Sequence, residues 1–128
     1  MSYRLLASAA VALLTAGTIG TAHAQDAAAG QRVFNQCRAC HTIDSGGRNT
    51  VGPNLHGVVG RRAASLPNFR YSENMRERAE HGLTWTEENL DNYVTNPKVL
   101  VPRGTMAFPG IRNEQQRKDL IAYLKSQS

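Results

Sequence analysis

The chain has 128 residues, of which 41 % are hydrophobic and 6 % aromatic, and its formal net charge at pH 7 is +5. This length suits one small domain with a modest core. The positive charge fits solubility or docking to acidic partner proteins, whereas the sequence has no basic run and no series of stacking aromatic residues typical of nucleic-acid binding.

Residues 1–24 have the features of a secretory signal peptide. Arg4 provides a positive start, residues 5–19 form an apolar stretch, and Ala22-His23-Ala24 is an Ala-x-Ala cleavage motif. The sequence therefore predicts export, cleavage after Ala24 and a mature domain of residues 25–128. The alternative is an uncleaved membrane anchor, but the apolar run is short for a span of roughly 20 residues.

The mature chain is predicted to begin with a helix over residues 26 to about 40. Residues 42–70 follow; they lack periodicity and contain many Gly and Pro residues, so we predict a loop there. A loop this long needs something to pack against in a compact domain. The predicted apolar face of the first helix consists of Gly30, Val33, Phe34 and Cys37.

Both cysteines of the chain lie in one pentapeptide, Cys37-Arg38-Ala39-Cys40-His41. Cys-x-x-Cys-His is the pattern for attachment of a c-type haem. The two thiols add to the two vinyl groups of the haem, and the histidine becomes an axial ligand of the iron. One helical turn places Cys37 and Cys40 on one side of the chain, from which both sulfurs can reach one porphyrin edge. The motif predicts one covalently bound haem c.

Three other chemistries use a cysteine pair of this kind. A thioredoxin-like redox pair requires a βαβ context, which is not visible in the sequence. A structural zinc site requires four ligands, and beyond the motif only His56 and His81 remain, without ligand-like spacing. A disulfide between Cys37 and Cys40 would close too small a loop to stabilise the domain much.

Further helices are predicted in the second half of the chain. A short helix begins at Ser72 and stops at Gly82, and a longer one follows Thr86 as its N-cap. Pro97 ends that helix and can itself start another turn. The last helix follows Asn113, which is a good N-cap. Because no segment has the pattern of a strand, we predict an all-α, small single-domain fold with three main helices, short helices and long loops.

The sixth ligand of the iron has four candidates in the mature chain. Met106 lies in residues 101–110, an irregular loop bracketed by proline, with apolar neighbours that suit a weak, soft thioether ligand. Met75 lies on a short polar helix. His56 and His81 have the pattern of surface histidines. The loop and the haem motif together favour Met106.

The mature chain resembles a class I cytochrome c of the mitochondrial and α-proteobacterial type. The resemblance extends from about Ala29 to Lys125 and keeps the order of its motifs. The motifs are Gly30 and Phe34, Cys37-x-x-Cys40-His41, residues 50–57 (Thr-Val-Gly-Pro-Asn-Leu-His-Gly), Gly60-Arg61, residues 69–72 (Phe-Arg-Tyr-Ser), Leu83-Thr84-Trp85, Tyr93, Asn96-Pro97-Lys98, residues 106–111 (Met-Ala-Phe-Pro-Gly-Ile) and residues 119–124 (Asp-Leu-Ile-Ala-Tyr-Leu).

The resemblance implies roles for five further residues and predicts a cytochrome c fold wrapped around one haem. Pro53 is implied to accept a hydrogen bond from the axial histidine. Arg61, Tyr71 and Trp85 are implied to hydrogen-bond to the inward haem propionate or compensate its charge, and Tyr93 to approach the methionine sulfur. The crossing of the first and last helices is implied to bring together Gly30, Phe34, Leu120 and Tyr123.

The sequence departs from the family pattern in three places. The family usually reads Pro-Gly-Thr-Lys-Met before the ligand, whereas residues 102–106 read Pro-Arg-Gly-Thr-Met. The segment between Tyr71 and Gly82 is longer than in the mitochondrial form. The lysine ring at the haem edge is also thinned, because other residues stand where lysines often stand: Gln36, Thr50, Val99 and Thr105. Basic character is kept at Arg32, Lys98 and Arg112.

These features predict a soluble, periplasmic, monohaem electron carrier, and not an enzyme. The resemblance implies a monomer that shuttles between a quinol:cytochrome c oxidoreductase and a terminal oxidase, reductase or photosynthetic reaction centre by transient electrostatic docking. One alternative is a haem peroxidase or nitric-oxide binder, which needs an open sixth position on the iron. Another is an electron-entry subunit fixed to a single dehydrogenase.

Overall fold

The computed structural model describes residues 25–128, so the predicted signal peptide lies outside the described residues. Five helices follow in chain order: α1 (Ala27–Phe34), α2 (Glu73–Glu80), α3 (Glu87–Thr95), α4 (Pro97–Leu100) and α5 (Glu114–Ser126). Within residues 25–128 the only β pairing is one isolated bridge between Arg62 and Thr84. The predicted all-α fold is confirmed. No helix in this range is long and apolar enough to span a bilayer.

The first helix is shorter than predicted. Asp26 caps it by accepting hydrogen bonds from the N–H groups of Ala28 and Ala29, but α1 ends at Phe34 and not near residue 40. Beyond Phe34 the backbone bonds change from the i−4 to the i−3 pattern; the bond from Cys37 N–H to the Phe34 carbonyl, for example, is 2.8 Å long. The chain therefore tightens into turns where the cysteine motif begins.

The first and last helices cross at Gly30, as the resemblance implied. A Cβ atom at Gly30 would lie 1.8 Å from the Asp119 carbonyl oxygen, so only glycine permits this approach. One turn on, the Phe34 and Tyr123 rings pack with centroids 5.4 Å apart, and Leu120 on α5 is buried. This crossing joins the two ends of the described domain, residues 25–128.

Side-chain caps start the later helices at the predicted positions. Thr86 Oγ1 accepts from the Asn89 N–H at the start of α3, and Asn113 Oδ1 accepts from the Gln116 N–H at the start of α5. Pro97 is the first residue of α4. These caps confirm the sequence interpretation, because a cap depends on residues only a few positions apart.

Residues 42–70 form the predicted long loop, and hydrogen bonds to distant backbone hold it in place. The N–H groups of Gly57, Gly60 and Ala63 donate to the carbonyls of Gln127, Trp85 and Leu83, at 2.7 to 3.0 Å. Apolar side chains of the loop are buried in the core: Ile43, Val58 and Ala63. The loop is thus an ordered part of the domain that connects α1 to the residues before α3.

Candidate haem-binding site

The cysteine motif occupies a single hydrogen-bonded turn. The N–H groups of Cys40 and His41 both donate to the Cys37 carbonyl, at 3.1 and 3.0 Å. Both cysteines are half-buried, and they are not joined to each other in a disulfide. The turn therefore brings the two thiols and the histidine to one side of the chain, as haem attachment requires.

Two observations argue against a redox-active cysteine pair and against a zinc site. Burial, with a contribution from Cys40, raises the pKa of the Cys37 thiol to about 11. A thioredoxin-like pair needs a lowered thiol pKa to supply the reactive thiolate. Among residues 25–128, no group of three or more His, Cys, Asp or Glu side chains is placed to hold a metal ion. The motif thus lacks the donor set of a zinc site.

The imidazole of His41 is held in one tautomer. Its Nδ1 lies 2.7 Å from the Pro53 carbonyl oxygen, and because a carbonyl can only accept, Nδ1 carries the proton. Nε2 of the neutral ring then has the free lone pair that a metal ligand needs. Burial lowers the pKa of His41; the hydrogen bond to Pro53 opposes this, and the charge of Arg61 adds to it.

Gly52 makes the approach to His41 possible. A Cβ atom at Gly52 would lie 2.4 Å from the ring Cε1 and 2.7 Å from Nδ1. The Gly52 N–H also donates to the Cys40 carbonyl at 2.7 Å, and this bond attaches the backbone of Gly52 and Pro53 to the cysteine motif. The sequence alone assigns Gly52 no role beyond its motif. The signal that could have found it is its position directly before Pro53, the residue whose carbonyl binds the histidine.

The three residues assigned to a propionate lie in one neighbourhood. The backbone N–H of Trp85 donates to the Arg61 carbonyl at 2.8 Å, and the Trp85 side chain is buried. Burial lowers the pKa of the Arg61 guanidinium, while Tyr71 acts in the opposite direction. The Tyr71 hydroxyl accepts from the Leu66 N–H at 3.2 Å, which leaves its own proton available.

Arg61 is suited to an anionic group that the protein itself does not supply. Its guanidinium donates to the carbonyls of His56 and Asn54 at 3.3 and 3.1 Å, and no ion pair within residues 25–128 involves it. A half-buried cation without a carboxylate partner fits a haem propionate, which would supply that charge.

Met106 lies in the predicted irregular loop and is half-buried against the core. Tyr93 on α3 is buried; its ring packs against Trp85 with centroids 4.9 Å apart, and burial raises its pKa to about 12. Met75 on α2 is half-buried against the same core, so burial alone does not separate the two methionines. The structure places neither sulfur against a ligand position, and the choice of Met106 stays a prediction.

The two remaining histidine candidates are bonded to the backbone. His56 Nδ1 lies 3.1 Å from the Ile43 carbonyl and His81 Nδ1 lies 2.7 Å from the Glu77 carbonyl. His81 is exposed at the end of α2. These contacts give both residues local structural roles.

Sequence reasoning missed one buried amide beside the site, Asn54. Only 8 % of Asn54 is exposed. Its Nδ2 donates to Thr42 Oγ1 at 2.8 Å and to the Asp44 carbonyl at 3.0 Å, and its Oδ1 accepts from the His56 N–H. Asn54 thereby holds the loop beside Pro53. No periodic signal marks it, because it lies in an aperiodic segment.

Together, the small helical domain, the Cys-x-x-Cys-His turn and the locked histidine define a c-type haem protein. Comparison with known proteins agrees. The cytochrome c family matches residues 27–128, and the chain belongs to this family.

The relatives are close in sequence and in structure. Cytochrome c2 of Rhodopseudomonas palustris is 46 % identical, with 86 % of this chain and 88 % of the relative covered. Cytochrome c2 of Blastochloris viridis is 44 % identical, with 86 % and 84 % covered. The solved structure of cytochrome c2 from Rhodospirillum centenum has a TM-score of 0.76 at 37 % identity, covering 80 % of this chain and 98 % of that one.

The family confirms the predicted cytochrome c fold and the cofactor. Its members are electron carriers that bind haem c covalently, and this chain has the two cysteines, Cys37 and Cys40, in the spacing that attachment requires. The predicted class of function, electron transport through one haem, is confirmed at that level.

Proposed function

We propose that this protein is a soluble periplasmic carrier of single electrons whose haem iron is bound by His41 and Met106. The observation that carries the proposal is the His41 ring, which the Pro53 carbonyl holds at 2.7 Å in the tautomer that leaves Nε2 free. The ring follows the attachment cysteines directly, so covalent attachment and axial ligation are coupled. When bound, haem c supplies one iron that gains and loses a single electron.

The residues of the chain set how readily the iron accepts that electron. The hydrogen bond to Pro53 orients the His41 ring and raises its basicity as a ligand. The Met106 thioether is a neutral, soft donor that favours the ferrous state and raises the potential. Arg61, with Tyr71 and Trp85 beside it, offsets the charge of a propionate inside the domain. Little rearrangement is then needed when the charge of the site changes by one.

We propose further that the protein is not an enzyme. A peroxidase or a gas sensor needs an open sixth position, and ligation by Met106 would close it. The test is the visible spectrum of the purified holoprotein with and without cyanide or carbon monoxide. A carrier keeps its spectrum at moderate ligand concentration, whereas rapid binding of carbon monoxide to the reduced protein would contradict the proposal.

We propose that residues 1–24 direct export and are removed after Ala24, which gives a periplasmic protein of residues 25–128. Asp26 caps α1 at the very start of the described domain, so the domain does not need the preceding residues for its first helix. Mass spectrometry of protein from a periplasmic extract tests this. A mass that includes residues 1–24, recovered with the membrane, would support the anchor instead.

We propose a quinol:cytochrome c oxidoreductase as donor and a terminal oxidase, reductase or photosynthetic reaction centre as acceptor, met by transient docking of a monomer. We assign the docking to five exposed basic residues near the cysteine motif and the Met106 loop: Arg32, Arg38, Lys98, Arg103 and Arg112. They are not equally free. Arg103 pairs with Glu77 at 2.6 Å, and the Arg38 guanidinium lies 5.1 Å from the Phe34 ring centroid. The remaining members of the set are Arg32, Lys98 and Arg112.

A subunit fixed to one dehydrogenase is the alternative to a diffusing carrier. Size-exclusion chromatography of the native periplasmic protein separates the two cases. A monomer that is reduced by one complex and oxidised by another supports the carrier. Elution of the whole pool in a stable complex would support the fixed subunit.

A further inference from the structure

Two of the departures from the family pattern, the lengthened segment after Tyr71 and the altered residues before Met106, contact each other. Asn74 lies in the lengthened segment that forms α2, and Arg103 lies where the family has glycine before the methionine. Asn74 Oδ1 accepts a hydrogen bond of 2.9 Å from the Arg103 N–H, although the two residues are 29 positions apart. The bond is a direct attachment of α2 to the loop that carries Met106.

Glu77 completes this cluster on the next turn of α2. Asn74 Nδ2 donates to Glu77 Oε2 at 2.9 Å, and the Arg103 guanidinium donates to the same oxygen at 2.6 Å. The amide of Asn74 is therefore fixed in orientation, because its NH2 group faces the carboxylate and its oxygen faces the loop. We call Asn74, Glu77 and Arg103 the α2 clasp.

The members of the α2 clasp differ in burial, and burial decides which of them contributes most to holding the loop. Asn74 is 4 % exposed, so its loss would leave the Arg103 N–H without an acceptor in a place that water reaches poorly. The side chains of Arg103 and Glu77 are 69 % and 41 % exposed, and an ion pair with that exposure stabilises little. The buried amide is the main attachment and the ion pair supports it.

The loop has few other side-chain attachments between the clasp and Met106. Lys98 Nζ donates to the Gly104 carbonyl from α4, but Lys98 is exposed. A Cβ atom at Gly104 would lie 3.0 Å from Val101 Cγ1, so the loop folds closely onto its own start. Met106 follows Arg103 by three residues. Release of the Arg103 backbone would therefore give the methionine sulfur freedom to move.

We propose that Asn74 is a positioning residue that, through the Arg103 backbone, sets how firmly Met106 stays bound to the iron. This inference rests on the proposed ligation by Met106. Opening of the loop is a local equilibrium, separate from unfolding of the domain. The clasp shifts that equilibrium toward the closed state, and an external ligand can bind the iron only in the open state.

The test is binding of imidazole to the ferric holoprotein, followed by loss of the weak sulfur-to-iron band in the far red. Asn74→Ala should bind imidazole about tenfold more tightly than the native protein, which corresponds to about 1.4 kcal/mol in the opening equilibrium. The matched control is Asn89→Ala. Asn89 on α3 donates to the Thr84 carbonyl at 2.8 Å and has no bond to the loop, so this variant loses an amide bond without freeing Met106.

A paired substitution keeps the test meaningful if Asn74→Ala folds poorly. Asn74→Asp combined with Glu77→Gln exchanges the amide and the carboxylate while conserving charge. It keeps an acceptor for the Arg103 N–H, so imidazole affinity should return to near the native value. Equal imidazole affinities for Asn74→Ala and Asn89→Ala would overturn the proposal, and so would failure of the paired variant to restore the native affinity.

Amide hydrogen exchange separates this inference from the ligation on which it rests. If the native ferric protein shows no far-red band, ligation by Met106 is wrong. The Arg103 N–H must still exchange slowly in the native holoprotein and at least tenfold faster in Asn74→Ala if the clasp holds the loop. Rapid exchange of that amide in the native protein would refute the clasp whatever the ligand is.

Discussion

The segment that carries His41 and the segment that carries Met106 are held by different kinds of contact. Around His41, backbone and side-chain groups between residues 37 and 56 bond to one another, as in the bonds of 2.7 Å from the Gly52 N–H and from Thr50 Oγ1 to the Cys40 carbonyl. Around residues 101–106, side chains from α2 and α4 reach across to the loop backbone. The first arrangement is local in sequence, and the second joins distant parts of the chain.

We call residues 37–56 the histidine side of the site and residues 101–106 the methionine side. The difference in their contacts predicts that the two sides respond differently to mutation. Disruption of the histidine side should affect folding and haem incorporation together, because the turn, the cysteines and the ring are a single unit. Disruption of the methionine side should leave a folded holoprotein whose sixth ligand is displaced more easily. A local opening of this kind costs less free energy than unfolding of the domain.

Loss of an attachment cysteine should have the largest effect. Either Cys37→Ser or Cys40→Ser removes one of the two covalent bonds to the haem, and we expect holoprotein yield to fall sharply. The native protein should keep its haem through acid–acetone extraction and have the mass of residues 25–128 plus one haem. Ser45→Ala, in the following loop, is the control with normal yield. A colourless native chain with two free thiols would contradict the assignment.

Replacement of the proposed sixth ligand should come next. Met106→Ala should abolish the far-red band, lower the reduction potential and let cyanide bind, because a soft neutral donor is lost from the iron. Met75→Ala is the matched control, since Met75 is also half-buried against the core. Spectra and a redox titration of both ferric proteins decide the matter. Loss of the band in Met75→Ala alone would transfer the ligand role to Met75.

A methyl group at Gly52 tests how tightly the histidine side is packed. In Gly52→Ala the added Cβ would lie 2.4 Å from the His41 ring, so we expect a loss of about 3 kcal/mol in the free energy of unfolding. Gly57→Ala is the control: Gly57 has φ +70°, and nothing lies within 4 Å of its added Cβ. Backbone strain alone should cost about 1 kcal/mol there.

Denaturant unfolding of the holoproteins measures this contrast. The visible spectrum of Gly52→Ala should also show weakened ligation by His41, whereas that of Gly57→Ala should not change. If the two variants lost the same free energy, the His41 ring would have room to move, and the rigid histidine side described above would be wrong.

The features that could be predicted from sequence are those set by neighbours along the chain. Caps at Thr86 and Asn113 depend on residues three positions away, and both were found where predicted. The end of α1 was predicted too late. Apolar spacing continued to Cys37, but spacing does not distinguish i−4 bonds from the tighter i−3 bonds that the chain adopts after Phe34.

The partners of buried amides could not be predicted. Asn54 and Asn74 lie in segments without apolar periodicity, and the contacts that bury them leave no pattern in the sequence. Asn54 bonds to Thr42 and Asp44, 12 and 10 positions away. Asn74 bonds to the Arg103 N–H, 29 positions away. Sequence alone gives neither these contacts nor the close approach at Gly52. The family resemblance predicted the bond between His41 and Pro53, and the structure confirms it at 2.7 Å. Sequence patterning alone does not predict this bond.

The smallest expected effect is on docking, and it tests whether the methionine side also faces the partner. Lys98 and Arg112 are exposed on either side of the Met106 loop, and positive charge there should steer the approach to an acidic partner. Lys98→Glu and Arg112→Glu should each slow electron transfer with the physiological partner about fivefold at low salt. The potential should be nearly unchanged.

Arg103→Glu should slow the reaction less, because Glu77 already compensates the Arg103 charge at 2.6 Å. Lys125→Glu is the matched control, since Lys125 lies near the end of α5 and pairs with Glu87. The family resemblance implies a lysine at the position of Val99, which is 72 % exposed. The rate should therefore fall less steeply with added salt than in a typical mitochondrial relative. Stopped-flow kinetics across a range of ionic strength measures both effects. If Lys98→Glu and Lys125→Glu slowed the reaction equally, the Met106 loop would not face the partner protein. The histidine and methionine sides would then differ in the contacts that hold them but not in their contact with the partner.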